Sequence, residues 1–423
     1  MIRSLKYSCE NNNLPLFHLI RLQFDNIFCK NMSVETSENI QNTNDVQSNK
    51  RHVTDEDDEI ALKVPKVEEE EITKVERPKT SKYVLMMGYL GRDYFGMQRN
   101  RGQKTIEEDL LTALFKSELI TKTQFEDIRE IKFQRAARTD KSVSAVRQIV
   151  SLKLPRHVNR EIINEQLPKE IRIFGVKKVT KNFNSKIQCD ARTYRYVIPT
   201  FALAPEDPQF LETKEEIDPD KRLEQLSMID GKPYTEYRLT SDMLDKLNET
   251  LKLLEGTHNF HNFTGKIRPE DPSAYRYIMY FRCIETFVAN DIEFAVLEIK
   301  GQSFMLHQIR KMVSMVVGIS RNIIKNDTIK DAFALEKIDI PIAPGLGLSL
   351  HHVHYKYYNR KYGNDGIHEI LDWQECDQEV EKFYKDYILK SIVDTEATEK
   401  ITLHWLTCFL TPLRFAYKVT VAE

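Results

Sequence analysis

The chain has 423 residues, a formal net charge of −2, and 41% hydrophobic and 10% aromatic content, enough for two lobes or one large domain with extensions around a real core. Its six cysteines include no C-x-x-C pair, which argues against a structural zinc site and against a disulfide framework. No apolar run approaches the roughly 20 residues that a membrane helix needs.

Residues 1–32 carry Arg3, Lys6, Arg21 and Lys30 against only Glu10 and Asp25, with apolar patches at Leu14–Phe17 and Leu19–Ile20. A basic, amphipathic, acid-poor leader is the pattern of a mitochondrial transit peptide, and Met32 offers a second start. Residues 33–71 then hold 12 Asp/Glu against 4 Lys/Arg and bury too little to order themselves. We expect 1–80 to be a leader and a disordered acidic tail.

From Lys82 the texture changes. "KYVLMMGYLG" reads as a strand. "TIEEDLLTALFKSELI" reads as a helix, with Thr105 and Glu108 in capping-box spacing. Residues 131–137 read as a strand running into Arg138-Thr139-Asp140, and Val150, Leu152 and Leu154 alternate along a strand stopped by Pro155. A short helix near 159–166 and strands near 171–180 and 188–198 complete a first lobe, 81–200. Residues 201–240, rich in charge and proline, read as an insertion. A second lobe, 241–360, starts with a helix between Ser241 and Gly256 and continues with strands near 276–288 and 292–300. A long helix from Ser303 and the closing strand "GLGLSLHHVHYK" end it. The extension 361–423 includes residues 364–400, with 11 Asp/Glu against 4 Lys/Arg. Setting aside both acidic segments leaves net +13, a basic body suited to a polyanion or an ordinary solvated surface. The expected class is α+β, one sheet built from two related lobes with a cleft between them.

Asp140 between two strands is either a turn residue or a cleft carboxylate. A nucleophile elbow, a P-loop and a strand–GxGxxG–helix unit are all missing, and "GLGL" precedes a strand rather than a helix. His351, His352 and His354 suggest a metal, but only two of them share a strand face. Arg192, Tyr194 and Tyr196 line one face of a strand, and His307, Arg310 and Ser314 one face of the long helix. A carboxylate held by an arginine stays ionised and oriented to attack an electrophilic sugar carbon. Arginines and tyrosines beside it can hold phosphates and stack on a base.

Several motifs occur in an order that resembles the TruA-type pseudouridine synthases, most closely their eukaryotic tRNA pseudouridine synthase 1 branch. They are "YLGRDYFGMQ", "ARTDKSVSA", "RTYRY", "GTHNFHNFT", "GQSFMLHQIRKMV", "APGLGLSL" and "YNRKYGNDGIHEILDW", spread over roughly residues 82–405. The resemblance implies a central, mainly antiparallel sheet flanked by helices, in two lobes. It implies Asp140 as catalytic nucleophile, Tyr194 stacked on the flipped base and assisting proton transfer, and Arg310 paired with Asp140. Arg138 would help extrude the nucleotide; Arg192, Tyr196 and His307, from the strand and helix faces described above, are expected as further substrate-binding residues. The resemblance implies no cofactor, a nuclear location, and tRNA as partner, with uridines of the anticodon-stem region as targets; the leader adds the expectation that the long form reaches mitochondria while a form beginning at Met32 works in the nucleus. Small nuclear RNA and messenger RNA are also admitted as substrates. Ser142 departs from the family's usual glycine, and at positive φ a non-glycine residue there costs about 1–2 kcal/mol. Val146 and Arg147 stand where small residues are usual. Two alternatives stay open: a catalytically weak RNA-binding or tRNA-folding protein on the same scaffold, and a carboxylate-dependent glycosidase or deaminase acting on nucleosides.

Overall fold

The computed structural model describes residues 79–212, 218–265 and 267–408, with Leu410 and Phe415. The expected leader and acidic tail, apart from Lys79 and Thr80, lie outside the described residues. The strands in chain order are β1 (Thr80–Tyr89), β2 (Gln134–Arg135), β3 (Ser144–Pro155), β4 (Ile171–Lys178) and β5 (Ala191–Pro199), then β6 (Met228–Ile229), β7 (Lys232–Pro233), β8 (Gly256–Asn259), β9 (Tyr275–Ala289), β10 (Ile292–Gly301) and β11 (Leu348–His354). The helices are α1 (Ile106–Lys116), α2 (Lys122–Glu126), α3 (Arg160–Gln166), α4 (Pro208–Glu212), α5 (Pro219–Leu226) and α6 (Ser241–Lys252), then α7 (Gln308–Ser320), α8 (Thr328–Phe333), α9 (Lys356–Tyr362), α10 (Asp377–Phe383), α11 (Lys390–Glu399) and α12 (Ile401–Cys408).

Among the described residues nine strands form one sheet, ordered β4–β1–β3–β11–β5–β10–β9–β8 with β2 paired to β3; β6 and β7 make a separate hairpin. β1 is apolar on both faces because both are covered: Val84, Leu85, Met86, Met87 and Tyr89 are fully buried. All pairings but one are antiparallel. The exception is β11, parallel to β3 at Ser349–Ser144 and Leu350–Ala145 and antiparallel to β5 on its other edge. β11 therefore joins the two halves, and β5, which precedes the insertion in chain order, pairs with the second half through β10.

Three local expectations change. Thr105 caps α1 through Glu108 N–H, but the Glu108 carboxylate goes to Arg99 instead of closing a capping box. The long helix starts at Gln308, not Ser303, because His307 is left-handed (φ 61) and the Gln308 side-chain oxygen accepts from Met305 N–H. Gly256 does not stop α6, which ends at Lys252; it opens β8.

The segments flanking the lobes are folded onto them. Glu206 is buried between Arg222 of α5 and Arg321 beyond α7. Burial works against its charge, but the two guanidinium groups hold its carboxyl below the usual range. The acidic segment 364–400 is not a free flank either. It meets cations of the first lobe at Lys177–Glu375 (2.8 Å), Arg147–Asp377 (3.0 Å), Arg160–Glu379 (3.1 Å) and Arg92–Glu399 (2.7 Å). Trp373 is buried on β4, where a Cβ at Gly175 would come within 2.6 Å of its ring. The positive excess of the body is thus partly spent inside the molecule, which the charge count alone did not show.

Candidate active site around Asp140

The turn before β3 is held from several sides. Asp140 C=O accepts from Val143 N–H (3.1 Å), and Thr139 C=O accepts from Met97 N–H (3.1 Å). Thr139 Oγ1 lies 2.8 Å from Tyr89 Oη, which receives Gln148 Nε2 at 3.4 Å. Gln148 also clamps Ala137, accepting from its N–H (3.3 Å) and donating to its C=O (2.9 Å). Burial pushes the Tyr89 phenol up to about 12, so it stays a neutral member of this network. Gly96, in a left-handed conformation (φ +92), passes so close that a Cβ there would lie 2.7 Å from Thr139 O. Ser142 has φ 63, the strained region anticipated from its place in the motif. Its N–H donates to Tyr94 O (3.1 Å) and its hydroxyl to Arg92 O (3.2 Å).

Side chains from the second lobe, His307 and Arg310, and from β5, Tyr194 and Tyr196, face this turn. His307 Nε2 is 3.9 Å from Asp140 Oδ2. Burial, then the cations Arg310 and Lys311, pull the imidazole down to about 4, so at neutral pH this contact joins a carboxylate and a neutral ring rather than an ion pair. The Arg310 guanidinium donates through Nε to Ala343 O (2.6 Å). Burial lowers its pKa, while Tyr196 and Asp140 favour its charge. Tyr196 Oη donates to Pro344 O (2.6 Å), so the 343–344 carbonyls seat both Arg310 and Tyr196. Tyr194 is buried edge-on against Phe304 (5.2 Å, 81°). Burial raises its pKa, with Arg192 opposing, and Asp140 is close enough to add to the rise.

Asp140, His307, Arg310, Tyr194 and Tyr196 therefore gather on one side of the sheet. Arg192 is engaged otherwise, donating to Ala136 O through Nε (3.1 Å) and Nη2 (2.6 Å) and to Gln302 O through Nη1 (2.9 Å). It ties β5 to the stem of the turn and to the loop before α7. Arg138 lies exposed on the rim. Tyr89, Thr139, Gln148 and Gly96, which hold the turn, were not singled out by sequence reasoning. The available signal was the juxtaposition of "YLGRDYFGMQ" and "ARTDKSVSA" as two ordered motifs.

His352 and His354 lie with ring centroids 4.5 Å apart, His354 Nε2 at 2.8 Å from Thr193 Oγ1. Burial pulls them down to about 4 and about 3. Among the described residues no group of three His, Cys, Asp or Glu is placed to hold a metal, and no helix is long and apolar enough to cross a membrane. A cavity of about 580 Å³ lies elsewhere, between α6 and the end of α7, lined by residues such as Met243, Leu247 and Ile324, and shares no residue with the Asp140 cluster.

The profile of a tRNA pseudouridine synthase family matches residues 251–356, which contain β8 to β11 and the His307–Arg310 stretch. The pseudouridylate synthase 1 homolog of Homo sapiens is 46% identical over 328 residues, covering 77% of this chain and 72% of that one. Its Mus musculus counterpart is 45% identical over 329 residues, covering 77% and 73%. The tRNA pseudouridine synthase 1 of Yarrowia lipolytica is 32% identical over 392 residues, covering 77% and 73%. The chain belongs to the TruA-type tRNA pseudouridine synthase family, a family of isomerases.

Proposed function

We propose that the protein isomerises uridines of folded tRNA to pseudouridine with Asp140 as nucleophile. The supporting observation is the meeting of a carboxylate with an arginine and a neutral imidazole from the second lobe and a buried tyrosine from β5. A carboxylate oxygen of Asp140 bonds the ribose carbon, and the bond from that carbon to the base nitrogen breaks. The base turns over and its ring carbon bonds the ribose while the Asp140 oxygen departs. A proton leaves that ring carbon and one is gained at the released nitrogen. Substrate and product are isomers, so the reaction is balanced without a cofactor. Arg310 favours the ionised form of Asp140, and the Tyr194 phenol, kept neutral by burial, stacks on the base and carries a hydroxyl toward the proton transfer. Arg138 on the rim assists extrusion of the nucleotide from its stack, and Tyr196 and His307 border the base pocket.

The finer targets belong to the same proposal: uridines in or near the anticodon stem, with small nuclear and messenger RNA as further substrates. So does location, nuclear with a mitochondrial long form. A fluorescent fusion of residues 1–40 that stays diffuse in the cytosol would remove the mitochondrial part. The decisive experiment is single-turnover pseudouridine formation on unmodified tRNA transcript with Asp140→Asn. We expect product to vanish while tRNA affinity stays within a few-fold. Turnover above background by this variant excludes the nucleophile role. Activity on free uridine, with no need for folded RNA, would favour a nucleoside-cleaving enzyme instead.

A further inference from the structure

Residues 91–94 form a bracket around the Asp140 turn. Gly91 N–H donates to Ser144 Oγ (3.0 Å), Arg92 O accepts from the Ser142 hydroxyl (3.2 Å), and Tyr94 O accepts from Ser142 N–H (3.1 Å). These bonds grip the stretch that follows Asp140, including the strained Ser142. The bracket is itself anchored at both ends. Tyr94 Oη donates to Asp109 of α1 (2.7 Å). Arg92 reaches the other way, to α11 of the C-terminal extension: Nη1 donates to Thr395 Oγ1 (3.0 Å) and Nη2 to Glu399 Oε1 (2.7 Å).

Thr395 and Glu399 lie one turn apart, so a single guanidinium spans one helix face with two bonds. The base of that helix face is fixed. Glu396 is buried and accepts from both Thr402 N–H (2.9 Å) and Thr402 Oγ1 (3.0 Å), closing the corner between α11 and α12 around a left-handed Lys400. A continuous chain of bonded groups therefore runs from the C-terminal extension, through the Arg92 side chain and then its backbone carbonyl, to the residue two positions after Asp140.

We propose that Arg92 is a positioning residue, through which helix α11 fixes the register of the Asp140 turn against the facing cluster of Arg310, His307 and Tyr194. The inference rests on Asp140 being the reacting carboxylate. Arg92 is half exposed, so its bonds to α11 add little to global stability. Their effect falls on the placement of a few atoms, to which reaction rates are far more sensitive than folding is.

The experiment is a double-mutant cycle on the single-turnover rate, with tRNA Kd measured alongside. Arg92→Ala, Thr395→Val with Glu399→Gln, and all three together are compared with wild type. We expect each arm to slow single turnover about tenfold, the combination to slow it no further, and Kd to stay within about threefold. Arg92→Lys, which reaches one of the two acceptors, should recover part of the rate. Arg160→Ala breaks a different tie to the same extension, at Glu379, and should leave the rate unchanged. If Arg92→Ala weakens Kd and the two arms multiply, Arg92 is a phosphate contact and the inference is wrong. If neither arm changes the rate, it is equally wrong. An inactive wild-type protein, or an active Asp140→Asn, would instead defeat the catalytic assignment.

Discussion

Replacing Gly96 by alanine separates two physical effects at the site. Its φ of +92 disfavours any side chain, at about 1–2 kcal/mol. In addition, the new Cβ would sit 2.7 Å from Thr139 O, some 0.7 Å inside the 3.4 Å at which ordinary contact begins, and 3.3 Å from the Asp140 carbonyl carbon. The atoms it meets are backbone, and Thr139 O is already bonded to Met97 N–H while Thr139 Oγ1 is bonded to Tyr89. Relief must come from moving the turn that carries Asp140. A shift approaching 1 Å costs up to about 100-fold in rate, so we expect single-turnover pseudouridine formation to fall between about 10- and 100-fold with tRNA affinity nearly intact. Gly102→Ala is the control: its φ is +76, but nothing lies within 4 Å of the added carbon. Gly102→Ala should lose only the stability that the backbone strain accounts for and Gly96→Ala somewhat more, and only Gly96→Ala should lose rate. An equally slow Gly102→Ala, or a Gly96→Ala of wild-type rate, would refute the steric argument.

Tyr194→Phe keeps the ring against Phe304 and removes the hydroxyl. Slow chemistry with unchanged tRNA affinity is expected, and a wild-type rate would exclude the phenol from proton transfer. Glu206→Gln leaves Arg222 and Arg321 buried without their carboxylate and should cost about 3–5 kcal/mol in urea unfolding; a loss below 1 kcal/mol would show that the two arginines find other partners. Glu396 is raised from 4.5 to about 7, chiefly by burial, so the folded state holds its proton more tightly than the unfolded chain. Its contribution is fully present below about pH 4.5 and is lost as pH rises through 7, roughly 3 kcal/mol in all. Glu396→Gln should flatten that decline between pH 5 and pH 8, and parallel urea-midpoint profiles for the two proteins would show that Glu396 is not its source.

Local periodicity carried much of the fold. Val150, Leu152 and Leu154 mark β3, the run from Leu110 to Leu114 marks α1, and Arg192, Tyr194 and Tyr196 do share a strand whose register against β10 is regular. What periodicity could not carry is set by contacts distant in sequence. The apolar pattern of 303–307 continues that of α7, so only the left-handed His307 reveals where the helix starts. The acids of 364–400 read only as a charge excess in the extension until Lys177, Arg147, Arg160 and Arg92 are found opposite them. At the site, Asp140, Tyr194 and Arg310 were named from motifs. Arg192 is an example of a residue whose type suggests a ligand and whose surroundings, the Ala136 and Gln302 carbonyls, give it a scaffold bond.

The place of β11 has a temporal side. β3 follows the Asp140 turn and β5 carries Tyr194, yet the two strands do not pair with each other; β11 lies between them. The ribosome makes β5 by residue 199 and β11 only at residues 348–354. At roughly 5–20 residues per second that interval lasts on the order of 10–30 seconds. Throughout it the facing edges of β3 and β5 lack their strand partner, and open edges are templates for mispairing. A nascent or truncated chain ending before β11 therefore holds Asp140 and Tyr194 without the strand that lies between β3 and β5. Such a chain is expected to present open strand edges, templates for mispairing, before the two sides of the site are held together.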